Sequence, residues 1–138
     1  MDNSYFVRMD NITFIGTIHS PLQQLKDCPL LENEGAPPAL IRIAPEFRAA
    51  LEGIKAGQKV WLLTWLHQGN RSTLKTKPRN NPAAAIKGVF ATRSPDRPNP
   101  IGLHLVEITG FTESGELGVA QLEVLDGTPL IDIKPFLG

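Results

Sequence analysis

The chain has 138 residues, enough for one domain whose core needs no disulfide. Its 14 Lys and Arg balance 14 Asp and Glu, which excludes a uniformly basic nucleic-acid binder and an acidic disordered tail. Gly and Pro number 12 each, about 17% together and short of the roughly 25–30% of low-complexity chains.

The first residues, Met1-Asp2-Asn3-Ser4-Tyr5, carry neither the basic nor the apolar region of a signal peptide. No apolar run nears the ~20 residues of a membrane helix, so a cytoplasmic protein is expected. From there the dominant period is two. Ile12, Phe14 and Ile18 alternate onto one face. Cys28 is the one cysteine of the sequence, so no intramolecular disulfide can form, and nothing near it in the sequence has zinc-ligand spacing. A strand is expected at Leu40-Ile41-Arg42-Ile43, followed by the one credible helix. Pro45 suits a first turn, Glu46 favours the N-terminal dipole, Phe47, Ala50 and Leu51 fall at i, i+3 and i+4, and Gly53 ends it. Val60 to Leu66 is nearly continuous in apolar character, as in a strand covered on both faces.

The next stretch carries most of the charge asymmetry. From Arg71 to Arg97 there are seven bases and one acid, Asp96, a net +6. The remaining residues carry seven bases and thirteen acids, a net −6. A surface that meets a polyanion has this segregation; a long connection gathering Lys and Arg for solubility has it too. Within it, Lys77-Pro78-Arg79-Asn80-Asn81-Pro82 is turn-rich. Ile86 to Phe90 makes a short strand that runs into Ser94-Pro95-Asp96-Arg97-Pro98-Asn99-Pro100. Three prolines there fix φ and restrict their neighbours, so the loop is stiff before anything binds, either to meet a ligand or to connect two strands. Ile101, Leu103 and Leu105 then share a face, as do Leu117 and Val119 across a Gly-rich hairpin turn. Leu130-Ile131-Asp132-Ile133 ends the series. Short strands with Gly, Pro and Asn punctuation and one short helix indicate an all-β fold, a small barrel or sandwich in one domain over 1–138.

Several chemistries are missing. There is no Gly-x-Ser-x-Gly elbow, no P-loop and no Gly-x-Gly-x-x-Gly after a strand. His19 and Ser20 are merely adjacent, with no third member indicated. His19, His67 and His104 are too scattered to indicate a metal site. Three clusters remain. His67-Gln68 stands at the rim of the strand bearing Trp61 and Trp65, where it suits a pocket mouth or a satisfied rim pair. Arg93 closes a strand, a place to fork onto a carboxylate or phosphate. Asp126-Gly127 lies in a turn where the carboxylate could take both hydroxyls of a ribose and glycine would allow close approach; a plain hairpin turn uses the same residues.

Together the last two clusters are specific. Gly88 to Gly102 (GVFATRSPDRPNPIG) and Leu125 to Pro135 (LDGTPLIDIKP), with the Gly16-to-Pro21 start and the Trp61-to-Gln68 strand, resemble the TrmO family, also called YaeB or TsaA-like. The likeness covers nearly the whole chain. It implies a dimeric S-adenosylmethionine-dependent methyltransferase on a small β-barrel, which modifies N6 of a threonylcarbamoyl-adenosine beside the tRNA anticodon. The donor site it implies is near the subunit interface. It comprises His67, Gln68, Arg93, Leu103, Leu125, Asp126, Gly127 and Thr128, with backbone atoms of Pro29, Leu30 and Leu31. Many relatives have Pro-Arg-Gln where Pro29-Leu30-Leu31 stands, and longer members extend beyond the C-terminal segment. Asp96 is the nominated base for the exocyclic nitrogen, and Arg71, Lys75, Lys77, Arg79 and Arg97 are the expected RNA contacts. No metal and no membrane are expected. The competing readings are a non-catalytic RNA- or ligand-binding barrel and a methyltransferase with another substrate.

Overall fold

In the computed structural model, residues 10–24, 28–29, 35–78 and 81–138 are described. The strands among them are β1 (Gly16–His19), β2 (Ala39–Ile43), β3 (Lys59–Trp65), β4 (Lys75–Thr76), β5 (Lys87–Gly88), β6 (Ile101–Phe111), β7 (Leu117–Val119) and β8 (Pro129–Pro135). Six of them close a barrel in the order β1-β2-β7-β6-β3-β8, and β4 and β5 form a separate two-stranded ribbon. Every pairing is antiparallel. Closure leaves those six strands no unpaired edge.

Alternation sets the core. Val60, Leu62 and Thr64 of β3 point inward, opposite Val106, His104 and Gly102 of β6 in register. Ile18, Ile41, Leu62, Ile108, Leu117, Leu122 and Leu130 are fully buried and fill the interior. Removing such side chains from water is the main stabilising contribution, about 1.5–3 kcal/mol for each.

Several sequence expectations are corrected here. β3 is covered on its inner face only; Trp61, Leu63 and Trp65 are half-buried on the outside. They line up there with Leu105, Leu103 and Ile101 across the β3–β6 pairing, and the rings of Phe136 and Phe14 lie against Trp61 and Trp65. Ile101, Leu103 and Leu105 do share a face, but it is the outward one. The first strand starts only at Gly16, so Ile12 and Phe14 precede it, both exposed. The strand at Ile86 to Phe90 reduces to Lys87–Gly88. Val89–Ala91 then turns as a 3-10 segment that buries Val89 and leaves Phe90 outside. Pro45–Leu51 is a 3-10 helix rather than an α-helix. Phe47, Leu51 and Ile54 pack partly buried against the core, while Ala50, which α periodicity would have turned inward, is exposed. Seven residues with no side-chain cap give little beyond local i→i+3 bonds such as Phe47 N–H to Ala44 O.

The strand directions separate the connections into two groups. β1, β7 and β3 end at one pole, where β2, β6 and β8 begin. The connections after β1, β3 and β7 therefore start and end at that pole. The opposite pole has the 3-10 helix and the tight β6–β7 turn. In that turn Gly115 holds φ +87°, and a Cβ there would meet nothing nearer than the Arg48 guanidinium at 3.8 Å. Gly115→Ala therefore meets only the backbone penalty of the left-handed region, and a loss of about 1 kcal/mol is expected in urea unfolding. An unchanged midpoint would mean the turn relaxes.

Candidate functional site at the loop pole

The turn before β8 is stitched to the end of β1. Ile18 N–H donates to Thr128 O (2.9 Å), Gly127 N–H to Ile18 O (2.8 Å) and Asp126 N–H to Leu22 O (2.8 Å). The Thr128 hydroxyl, buried, donates to Leu125 O at 2.7 Å. These bonds fix Asp126, whose Oδ1 accepts the Ser20 N–H at 3.0 Å and lies 3.8 Å from His19 Nδ1. The carboxylate remains 40% exposed, so it is held in place yet open to a ligand. Gly127 has φ +83° and no described atom within 4 Å of where a Cβ would be, which leaves room for a ligand against its backbone. Asp126 also lines an apolar groove of about 500 Å³ on the outside of the barrel, with His19, Pro38, Leu40, Thr109 and Gly118. His19 Nε2 is buried there without a hydrogen-bond partner among the described residues.

The long connection between β3 and β6 is pinned to itself. Leu66 N–H donates to Pro100 O at 2.7 Å. Asp96 Oδ1 accepts the Asn70 N–H at 2.8 Å. Arg97 donates to Thr92 O and Ser94 O and lies over the Phe90 ring. Arg71 donates to Pro98 O and Asn99 Oδ1 and covers Trp65. Gly69 sits so close to Pro95 O that a Cβ would collide with it. The proline loop is thus held by its neighbours as well as by its own stiff residues.

Of the sequence candidates, Pro29, His67, Gln68, Arg93, Leu125, Asp126, Gly127 and Thr128 belong to the connections that start and end at the loop pole, and Leu103 stands in the wall on β6, in register with Leu63. Leu30, Leu31 and Arg79 lie outside the described residues. Arg93 and His67 are exposed on the connection, and Leu103 is an outward residue, 40% exposed, near the start of β6. Among the described residues no hydrogen bond or ion pair joins Arg93 or Gln68 to the Asp126 turn. The nominated base, Asp96, has one oxygen engaged in holding the loop. Of the expected RNA contacts, Arg71 and Arg97 are likewise engaged internally, Lys77 donates to Pro82 O, and Lys75 is exposed on β4. No group of three His, Cys, Asp or Glu among the described residues could hold a metal ion.

Sequence reasoning missed a polar chain inside the barrel. Thr64 Oγ1 lies 2.7 Å from His104 Nε2, and His104 Nδ1 meets Glu123 Oε1. His104 and Glu123 side chains are 4% and 8% exposed, and Glu123 Oε2 has no partner among the described residues. The only signal was the parity of His104 with Val106 and Ile108 on β6.

Comparison with known proteins decides the lineage. Residues 17–138 match the model of the tRNA-methyltransferase O N-terminal domain. The chain belongs to the TrmO family. It is 40% identical over 123 residues to a Methanothermobacter thermautotrophicus protein named "Probable S-adenosyl-L-methionine-binding protein", covering 88% of this chain and 86% of that one. An S-adenosyl-L-methionine-binding protein of Archaeoglobus fulgidus is 37% identical with the same coverage of both. The crystal structure of TrmO from Pseudomonas aeruginosa superposes with a TM-score of 0.73 at 34% identity. That match takes in 97% of this chain but only 57% of the solved one. The barrel with its loop pole is thus the TrmO fold.

Proposed function

We propose that this chain binds S-adenosyl-L-methionine at the loop pole and transfers its methyl group to tRNA, at N6 of a threonylcarbamoyl-modified adenosine beside the anticodon. The observation that carries the reading is the Asp126-Gly127-Thr128 turn, tied by hydrogen bonds to β1 and the segment after it and still presenting an open carboxylate in a TrmO-family barrel. The residues at that pole fit the donor by chemistry. Asp126 suits a ribose diol, Arg93 a carboxylate, and the outward Leu103 the apolar face of an adenine. When bound, the donor supplies an activated methyl on a cationic sulfonium. The chain's part is to hold donor and acceptor in line, since positioning can supply much of the acceleration. Asp96 is proposed as the group that accepts the proton of the exocyclic nitrogen, through the oxygen not engaged by Asn70.

The outward face of β3 and β6, with Trp61, Leu63, Leu103 and Leu105, supports the homodimer of this reading, because it would shed water against a second copy. A tRNA substrate goes with a cytoplasmic location, and among the described residues no helix is long and apolar enough to cross a membrane.

Two measurements test this. Calorimetric titration should show donor binding by the purified protein and about tenfold weaker binding by Arg93→Ala, the range for a charge-assisted hydrogen bond. Mass spectrometry of tRNA nucleosides should show the methylated threonylcarbamoyl nucleoside disappear on deletion of the gene. Donor binding with an unchanged nucleoside would point to another substrate; no donor binding at all would leave a non-catalytic barrel.

A further inference from the structure

We propose that the recess beside Trp65 seats the base of the nucleotide to be methylated. This rests on the reading of the chain as an RNA methyltransferase and gives the acceptor its own place, apart from the Asp126 turn.

The recess holds about 280 Å³ and is walled by Asn11, Ile12, Phe14, Trp65, Arg71 and Asn99, with Asp10 also reaching it. Its chemistry is that of a base site rather than a phosphate site. Phe14 and Trp65 have ring centroids 6.3 Å apart with planes inclined at 45°, so the rings splay instead of stacking on each other. Phe14 is 45% exposed, an aromatic surface whose one ring neighbour among the described residues is Trp65. The Arg71 guanidinium lies 5.1 Å from the Trp65 ring centroid. Its Nε and Nη2 are held by Pro98 O at 2.7 Å and Asn99 Oδ1 at 3.2 Å. A guanidinium fixed in this way is a planar stacking surface more than a mobile phosphate clamp, and bases stack on such planes and on aromatic rings.

The polar groups are those that read a base edge. Because Arg71 donates to Asn99 Oδ1, the Asn99 amide nitrogen is left to donate. The Asp10 carboxylate in the wall opposes a phosphate. An amide donor at this place matches a ring nitrogen of adenine such as N7, which a substituent on N6 leaves available.

Place and charge agree. Trp65 ends β3 and leads through Leu66 to His67 and Gln68, so the recess adjoins the loop pole. Arg71 opens the stretch with a net +6, which would draw an RNA backbone past the recess. A base reaches such a site only when swung out of its stack, as in other enzymes that modify bases.

The test compares an anticodon stem-loop RNA with the same RNA lacking the base of the adenosine beside the anticodon. Both are titrated against the full chain and against Phe14→Ala and Asn99→Ala, two substitutions at exposed positions. Wild type should bind the intact RNA roughly tenfold more tightly than the abasic one, the scale of one base–aromatic stack. Both variants should lose that preference while keeping the salt dependence and the donor affinity of wild type. Equal binding of the two RNAs by wild type, a preference that survives in both variants, or no RNA binding overturns the proposal. Loss of base preference only in variants that have also lost donor binding overturns it as well, because that marks a disturbed fold. Donor titration on the same samples separates the two readings: if the base preference is present and the donor is not bound, the methyltransferase reading falls and the base site stands.

Discussion

His104→Ala should lower the unfolding free energy by about 3–5 kcal/mol, the cost of breaking a buried polar pair from one side. The imidazole is the middle of a three-member chain. With its Nδ1–H given to Glu123, its Nε2 accepts the Thr64 hydroxyl. Truncation strands a buried hydroxyl and a buried carboxylate at once and leaves a void between β3 and β6. Glu123→Gln should cost far less, about 1 kcal/mol, since an amide oxygen still accepts from the imidazole. Gly102→Ala probes the same place from the other direction. Its methyl would collide with Thr64 Oγ1 and lie 2.6 Å from His104 Nε2, wedged into the hydrogen bond, and overpacking of that kind costs about 1–3 kcal/mol before the lost bond is counted. Urea unfolding of the three variants decides the matter. An alanine at 104 within about 1 kcal/mol of wild type would mean that water enters and satisfies Thr64 and Glu123.

Asp126→Ala should weaken S-adenosyl-L-methionine binding by about 1.5–3 kcal/mol, or roughly 10–150-fold, the value of a hydrogen bond to a charged group. The carboxylate has two duties, and a second substitution parts them. Its Oδ1 accepts the Ser20 N–H, so alanine also loosens the tie between the turn and the segment after β1. Asp126→Asn keeps an oxygen for Ser20 but loses the charge and one of the two acceptors a ribose diol would use. It should melt like wild type and still bind the donor about tenfold more weakly. If both variants bind the donor as well as wild type, the turn is not the ribose site, and the apolar groove beside His19 becomes the place to look.

Much of this was legible in the chain because alternation is a local property. The period of two located β2, β6, β7 and β8, and the Gly-Pro-Asn punctuation located the loops. Inside and outside were harder to tell at β6, where Ile101, Leu103 and Leu105 look like a core face. They are not, because the interior at that level is occupied by a glycine and a histidine, and the apolar outer face is sheltered by Trp61, Leu63 and Trp65. Short elements were the other difficulty. Nothing local distinguishes seven residues of 3-10 helix at Pro45 from the start of an α-helix, and Val89 leaves the extended state because its burial fixes a turn that the apolar run cannot announce. The candidate donor-site residues were named from the sequence through the family resemblance, and what the closed barrel adds is the pole to which their connections belong. The Thr64, His104 and Glu123 chain joins positions far apart in sequence, so only the register of β3 against β6 and the return of the segment after β7 could bring it out.

The uneven division of connections between the two poles also matters to anyone handling the protein. β8 runs away from the loop pole, so the C-terminal segment emerges at the opposite pole, beside the start of β3, and the Thr112-to-Glu116 turn stands at that same pole. A fluorophore, an affinity handle or a new pair of chain ends made at Glu113 would hang from that far side. Exposed turn tips of small and polar residues tolerate such insertions best. Immobilised there, the barrel would present its loop pole to solution, and a large ligand could approach it without meeting the support.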